Sequence, residues 1–173
     1  RTSRGLGDVY KRQDPDVRLQ LMHDSDITIL CLPDDAAHEA VALADGVASI
    51  RFIDASTAHR LDDSWVYGFP ELTTAQRSMI AAASRIANPG CYPTGFLALA
   101  KPLIGSGMVP ADSHLSVPAV SGYSGGGKSM ISTHDNGGLA PQFSYGINLS
   151  HKHLAEMTHY AGLSTPPIFM PSV

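Results

Sequence analysis

An unbroken apolar run, Ile27-Thr28-Ile29-Leu30-Cys31-Leu32, followed by a helical stretch and a second apolar run, does most to narrow what this chain can fold into. The run is too short for a helix and lacks polar alternation, so it fits a strand buried on both faces of a sheet. Pro33 ends it. Asp34 and Asp35 then stand where a helix takes its N-cap and first-turn acids, and Ala36, Ala37, Ala40, Val41, Leu43 and Ala44 supply an apolar face that Gly46 closes. Ile50-Arg51-Phe52-Ile53-Asp54 reads as the next strand. Strand, helix, strand in this order implies a right-handed parallel crossover, hence an α/β fold with a doubly wound parallel sheet.

The pattern continues with a helix over residues 74–83, a short strand over 85–87 and the segment Asn88-Pro89-Gly90-Cys91-Tyr92-Pro93-Thr94-Gly95. Phe96, Leu97, Leu99, Ala100, Leu103 and Ile104 then keep helical spacing until Gly105 and Gly107. Residues 115–120 read as a strand leading into Ser121-Gly122-Tyr123-Ser124-Gly125-Gly126-Gly127-Lys128-Ser129, and from there to about Pro141 the composition suggests a loop-rich stretch of a second, mixed α+β domain. Residues 168–170 read as one more strand, and a stop so soon after it is not where a domain normally finishes. Residues 1–13, rich in Arg and Lys and without strand or helix period, are expected to be foreign to the fold or a flexible end.

With 173 residues and 43% hydrophobic content the chain can bury a core belonging to one domain or to parts of two. A net charge of −4 without a basic run argues against nucleic acid as a partner. No apolar stretch approaches the roughly 20 residues that span a bilayer, and no secretory signal stands at the start, so the cytoplasm is the default expectation.

The two cysteines, Cys31 and Cys91, are too far apart for a redox or zinc pair and too few for a disulfide framework. Cys31, in mid-strand, reads as a buried small hydrophobe. Cys91 differs. Pro89-Gly90 precede it and Pro93 is tolerated in a helix's first turn, so the sulfur is expected at a helix entrance, where free N–H groups and the helix dipole favour the thiolate that attacks carbonyl carbon.

Residues 88–95 are similar to the nucleophile signature of the N-acetyl-gamma-glutamyl-phosphate reductases, and lack the shorter Gly-Asn-Cys form of the related aspartate-semialdehyde dehydrogenases. Asp54-Ala55-Ser56-Thr57-Ala58-His59-Arg60 resembles that family's Asp-x-Ser-Ala-Asp-Phe-Arg, departing at Thr57, Ala58 and His59. Tyr67-Gly68-Phe69-Pro70-Glu71-Leu72, the segment 121–128 and His151-Lys152-His153-Leu154-Ala155-Glu156 resemble further family motifs, the last with Ala155 in place of Pro. The likeness runs from about Asp14 onward.

The resemblance implies reduction of an acyl phosphate to a semialdehyde through a cysteine thioester, in arginine biosynthesis, with NADP as cofactor and a homo-oligomer at full length. Cys91 would be the nucleophile and His153 the general acid/base, an imidazole being suited to proton traffic near neutrality, with His151 in reserve. Arg60 would clamp substrate phosphate or carboxylate, Glu156 would orient His153 or Arg60, and Asn88, Ser121, Tyr123, Lys128 and His151 would join the substrate site. Leu32, Pro33, Ser56, Gly122, Ser124 and Gly125 would line the cofactor, the glycines letting backbone approach nicotinamide and substrate. Residues 14–90 would then be part of a Rossmann-type dinucleotide-binding domain and 91–173 the start of a catalytic and dimerisation domain.

Three other readings compete. Residues 122–129 satisfy the phosphate-binding pattern G-x-x-x-x-G-K-[ST], but the stretch behind them carries glycines where that motif needs a helix. His151 and His153 could hold a metal, though no third ligand is spaced with them. The chain could also be a catalytically inert fragment: a dinucleotide fold places a glycine-rich turn after its first strand, and Gly5-Leu6-Gly7 has no strand before it, so weak NADPH binding is expected. A relative acting on aspartyl or amino-adipyl phosphate is a further option.

Overall fold

The computed structural model describes residues 14–173, so the expectations attached to residues 1–13 lie outside the described residues. The chain divides into two compact units, the first ending at Pro89 and the second running Gly90–Val173. Among the described residues no helix is long and apolar enough to cross a membrane.

The first unit is built on four short parallel strands. Helix α1, Pro15–His23, starts where Asp14 accepts the N–H groups of Asp16 and Val17 and Pro15 occupies the first turn. Strand β1 is Thr28–Leu30, helix α2 Asp34–Leu43, strand β2 Phe52–Asp54, strand β3 Val66–Tyr67, helix α3 Gln76–Ala82 and strand β4 Arg85–Ala87. The sheet order is β1-β2-β4-β3. Thr28 pairs with Phe52, Leu30 with Asp54, and Asp54 in turn with Ala87, every pair parallel. Leu30, Phe52 and Ala87 from the strands meet Ala37, Ala40 and Val41 from α2 in one core with Met22 and Trp65. The helical spacing of those small side chains is what lets α2 lie flat on the sheet.

Two local expectations need correction here. Cys31 is neither mid-strand nor buried: the ladder ends where Ala55 N–H donates to the Leu30 carbonyl at 2.9 Å, and Cys31 and Leu32 follow as exposed residues. Asp34 does not cap α2 either. Pro33 holds the cap position without a side-chain bond, because the Asp34 carboxylate reaches away to Thr57, accepting its N–H at 2.9 Å and its hydroxyl.

The second unit opens with helix α4, Cys91–Gly105, followed by strand β5, Ser116–Val120, a 3-10 turn over Tyr123–Gly126, helix α5, Gly127–Asp135, helix α6, His153–Ala161, and strand β6, Ile168–Ser172. Strands β5 and β6 run parallel, Ser116 opposite Ile168 and Val120 opposite Ser172. Helix α4 packs on α6, burying Leu97 and Met157 completely, and Phe169 of β6 is equally inaccessible. Gly162, at φ 81°, ends α6 in the left-handed region that a side chain would resist.

The expected loop after Ser121 is instead a turn and a helix. Gly126 and Gly127 precede the helical interior and Gly137, at φ 70°, follows it, so the glycines bracket α5 rather than interrupt it. The objection that no helix follows the glycine-rich segment therefore falls, although a 3-10 turn now occupies the residues that a phosphate-wrapping loop would need extended around its ligand.

Candidate active site

Gly90, extended at φ −65° and ψ 149°, caps α4, and Cys91 is the first helical residue, with an exposed side chain. The Gly90 N–H donates at 3.0 Å to Glu156, whose carboxylate is only 2% exposed on α6. A buried carboxylate thus fixes the peptide just before the sulfur. Thr94, one turn on, returns its hydroxyl to the Gly90 carbonyl at 2.8 Å, locking the same residue from the other side.

Tyr92 turns toward a cluster of rings. Its centroid lies 6.0 Å from that of His153, 6.3 Å from His151 and 5.0 Å from Phe169, all edge-on. Its hydroxyl is 3.2 Å from that of Tyr145. The two imidazoles are 4.7 Å apart, and the His153 backbone N–H donates to His151 Nδ1 at 3.1 Å. His151 Nδ1 is therefore an acceptor, and the proton of the neutral ring sits on Nε2. Burial first, then the Lys152 charge, holds its pKa below the usual histidine range, with Glu156 opposing. His153 is buried at the first position of α6.

Ser121, at the end of β5, donates its N–H to the Ser172 carbonyl at 2.9 Å and is hydrogen-bonded through its hydroxyl to Tyr145. Burial and then Tyr92 push the Tyr145 phenol well above its ordinary value, Ser121 opposing, and Cys91 lies near enough to act on it electrostatically. An apolar groove of about 500 Å³ leads away from Cys91 and Tyr92 between Leu99 and Leu103 of α4 and Val117 of β5.

The remaining residues of this unit follow Ser121 along the chain, its hydroxyl donating to the Gly122 carbonyl at 3.4 Å. Tyr123 stacks on His134 of α5 at 3.7 Å, and Gly122, Ser124, Gly125 and Lys128 are exposed around the turn that leads into α5. Among the described residues no group of three or more His, Cys, Asp or Glu side chains is arranged to hold a metal ion.

In the first unit, Leu32 and Pro33 follow the carboxyl end of β1 and Ser56 follows that of β2. Ser56 gives its N–H and hydroxyl to the buried Asp54 carboxylate at 2.9 and 2.7 Å, and His59 Nδ1 lies 2.6 Å from the same group. The His59 ring stacks on Trp65 at 4.1 Å and meets His38 edge-on at 4.6 Å. Arg60, 7% exposed, donates from Nε to the Asn88 carbonyl at 2.9 Å and from Nη2 to that of Ala55 at 3.0 Å, joining the ends of β2 and β4. Asn88 is exposed and its N–H donates to the Asp54 carbonyl.

Sequence reasoning leaves out Tyr92, Tyr145 and His59. For His59 a signal exists, a histidine five residues beyond a strand-ending aspartate, whereas Tyr145 is 53 residues from its partner and only folding joins them.

Comparison with known proteins agrees on the family and the fold. Residues 6–80 match the model described as semialdehyde dehydrogenase, NAD binding domain, and residues 91–173 the one described as semialdehyde dehydrogenase, dimerisation domain. N-acetyl-gamma-glutamyl-phosphate reductase 2 of a Nostoc species is 48% identical over 94% of this chain and 53% of that protein. The reductase of Brucella suis is 51% identical over 94% of this chain and 54% of that protein. A reductase 2 of Pseudomonas putida is 50% identical over 93% and 52%. The chain thus spans about half the length of the curated relatives it matches. The crystal structure of aspartate semialdehyde dehydrogenase II from Vibrio cholerae superposes with a TM-score of 0.58 at 17% identity, covering 87% of this chain and 52% of that one, a likeness of fold.

Proposed function

The chain belongs to the semialdehyde dehydrogenase family, and from that premise we propose that it carries the thiol site of an NADPH-dependent N-acetyl-gamma-glutamyl-phosphate reductase, an enzyme of arginine biosynthesis. The observation that carries the reading is an exposed cysteine at the first position of α4, its preceding peptide held by Glu156, with two histidines gathered around the adjacent Tyr92. Relatives near 50% identity that bear the reductase name support the substrate.

In this mechanism the Cys91 sulfur forms a bond to the γ-carbonyl carbon of the acyl phosphate. The carbon–oxygen bond to phosphate then breaks and phosphate leaves with the bonding pair. His153 takes the thiol proton, can lend one to the oxygen of the hemithioacetal and takes it back as the carbonyl re-forms and the carbon–sulfur bond breaks with its pair on sulfur. His151 suits a donor's role, because with Nδ1 occupied by a backbone N–H and its pKa lowered it stays neutral near pH 7 and donates from Nε2. A bound nicotinamide cofactor supplies the hydride that takes the thioester to the aldehyde level.

Leu32, Pro33 and Ser56 fit such a group, because the crevice beyond the carboxyl ends of adjacent parallel strands is where open α/β sheets bind ligands. Asp34 and Asp35 in the first turn of α2 would repel a phosphate there, so these residues suit an uncharged part of the dinucleotide. Gly122, Ser124 and Gly125 are assigned to the same cofactor on the family likeness. Arg60 in this reading keeps the strand ends in register, and any contact with substrate oxygens is secondary to its two carbonyl bonds. The two units act as cofactor-binding and catalytic domains in a cytoplasmic homo-oligomer.

The test follows phosphate. Mixing the chain with N-acetyl-gamma-glutamyl phosphate releases a burst of phosphate matching the Cys91 content, while ATP releases none. Release from ATP alone would transfer the assignment to residues 122–129 as a nucleotide site.

A further inference from the structure

We propose that Gly95 selects the acyl groups that Cys91 accepts: the side-chain-sized gap it leaves in the apolar groove seats the first methylenes of the acyl chain. The proposal rests on the thioester reading above and deepens it. Cys91, Gly95, Leu99 and Leu103 recur every four residues along α4, and all of them line the groove. Residues four apart on a helix stand one above the other on a single face. The row therefore begins at the thiol, is interrupted at once by Gly95 and resumes as leucine. Strand β5 supplies the other wall through Val117 and Ala119.

A glycine inside a helix weakens it relative to alanine, so its presence calls for a reason. The fold supplies none. The Gly95 backbone is ordinary right-handed helix, unlike that of Gly162, which a left-handed φ requires. Packing does not exclude a side chain either. A Cβ built on Gly95 meets nothing within 4 Å beyond its own turn of helix, whereas one on Gly68 would press against Ile86 at 3.0 Å. Side chains on a helix lean toward its N-terminus, so anything larger at position 95 would lie in the groove on the Cys91 side. Leaving that volume empty keeps the way to the thiol open along the groove.

An acyl group joined to sulfur through its carbonyl carbon must place its chain somewhere, and a groove that starts at the thiol and continues between apolar side chains suits methylenes. The glutamyl chain of the proposed substrate has two of them next to its reacting carbonyl. Each methylene taken out of water favours binding by about fourfold, so two give a preference of about 15-fold. The bonds change as before. The carbon–sulfur bond forms, the bond to phosphate breaks with its pair on phosphate, and the thiol proton passes to His153. Gly95 acts only on which chain fits while this happens.

The experiment compares acetyl phosphate with butyryl phosphate, which is longer by the same two methylenes. Each is reacted with the whole chain as wild type, Gly95→Ala and Gly95→Leu. Acylation of the Cys91 peptide is timed by mass spectrometry, and each rate is divided by that of N-acetylcysteine with the same reagent. Iodoacetamide reports how open the thiol is, and urea unfolding reports stability. The proposal expects the wild type to favour butyryl by about 15-fold and Gly95→Leu by no more than about twofold. Gly95→Ala should fall between them, with alkylation unchanged and a urea midpoint no lower than wild type, alanine being the better helix former. A wild type without chain-length preference overturns the proposal, and so does a preference that survives in Gly95→Leu. A lower midpoint in Gly95→Ala overturns it too, since the fold itself would then require the glycine. A wild-type chain alkylated at Cys91 but acylated by neither phosphate would remove the thioester reading, and the proposal with it.

Discussion

Asp54 and Glu156, the buried carboxylates of the first and second units among the described residues, keep different company. Asp54 accepts from the Ser56 N–H and hydroxyl and lies against His59, all within five residues along the chain. Glu156 instead accepts a backbone N–H from a residue 66 positions away, the one just ahead of an exposed cysteine. The first arrangement closes on itself and holds a strand end together. The second is strung between two helices, and what it holds is the peptide ahead of the thiol proposed as the nucleophile. A buried carboxylate therefore braces a strand end in one unit and the start of a helix in the other, and under the proposed function only the second adjoins the site.

The largest effect should come from breaking the closed network. Asp54→Ala leaves His59 and Ser56 buried without their acceptor, and a loss of about 3 kcal/mol is expected in urea unfolding. A midpoint within error of wild type would mean that the network is decoration. Glu156→Gln should do the opposite kind of damage. An amide oxygen can still accept the Gly90 N–H, so stability falls by about 1 kcal/mol, but the charge-assisted bond that sets the start of α4 weakens and the rate of Cys91 alkylation changes with it. Stability loss without any change in that rate would erase the contrast between the two carboxylates.

The smallest expected effect concerns pH. The His151 pKa is lowered from 6.5 in the fold, so the unfolded chain binds a proton there first as pH falls. The stability it contributes is complete above pH 6.5 and is lost as pH drops toward the folded value. His151→Gln should flatten the acid side of the stability profile relative to wild type. A steeper acid limb in the variant would reverse the sign.

Where the fold is legible in the sequence, the reason is local. The β1-α2-β2 unit announces itself because its strands are written as apolar runs and the helix between them as small residues at helical spacing, although the expected burial of β1 on both faces fails, Ile29 standing 63% exposed; α4 is equally plain from Phe96 to Ile104. Strand β3, two residues long, carries no pattern to read. Helix α5 is hidden by composition, since glycines at its two ends look like glycines throughout. Helix α1 has its signal in Asp14-Pro15, a cap followed by a first-turn proline, but the charged stretch just ahead of it masks where the fold begins.

The site divides the same way. Cys91 stands out because Gly and Pro on either side dictate a helix start, a constraint that acts over a few residues. Cys31 misleads because a strand's last ladder bond depends on its neighbour strand, which an apolar run does not reveal. The pairing of Tyr92 with Tyr145 and the contact of Glu156 with Gly90 depend on how α4, α6 and β6 pack, and no spacing along the chain encodes them.

The two cysteines offer the most direct test of the central claim, because both are exposed and only one opens a helix. The chain is exposed to N-acetyl-gamma-glutamyl phosphate, quenched in acid, digested and mapped by mass spectrometry for the retained acyl group. The acyl group is predicted on the Cys91 peptide alone, with Cys31 unmodified and the signal gone in Cys91→Ser. Label shared equally by the two cysteines, or carried by neither, would contradict it.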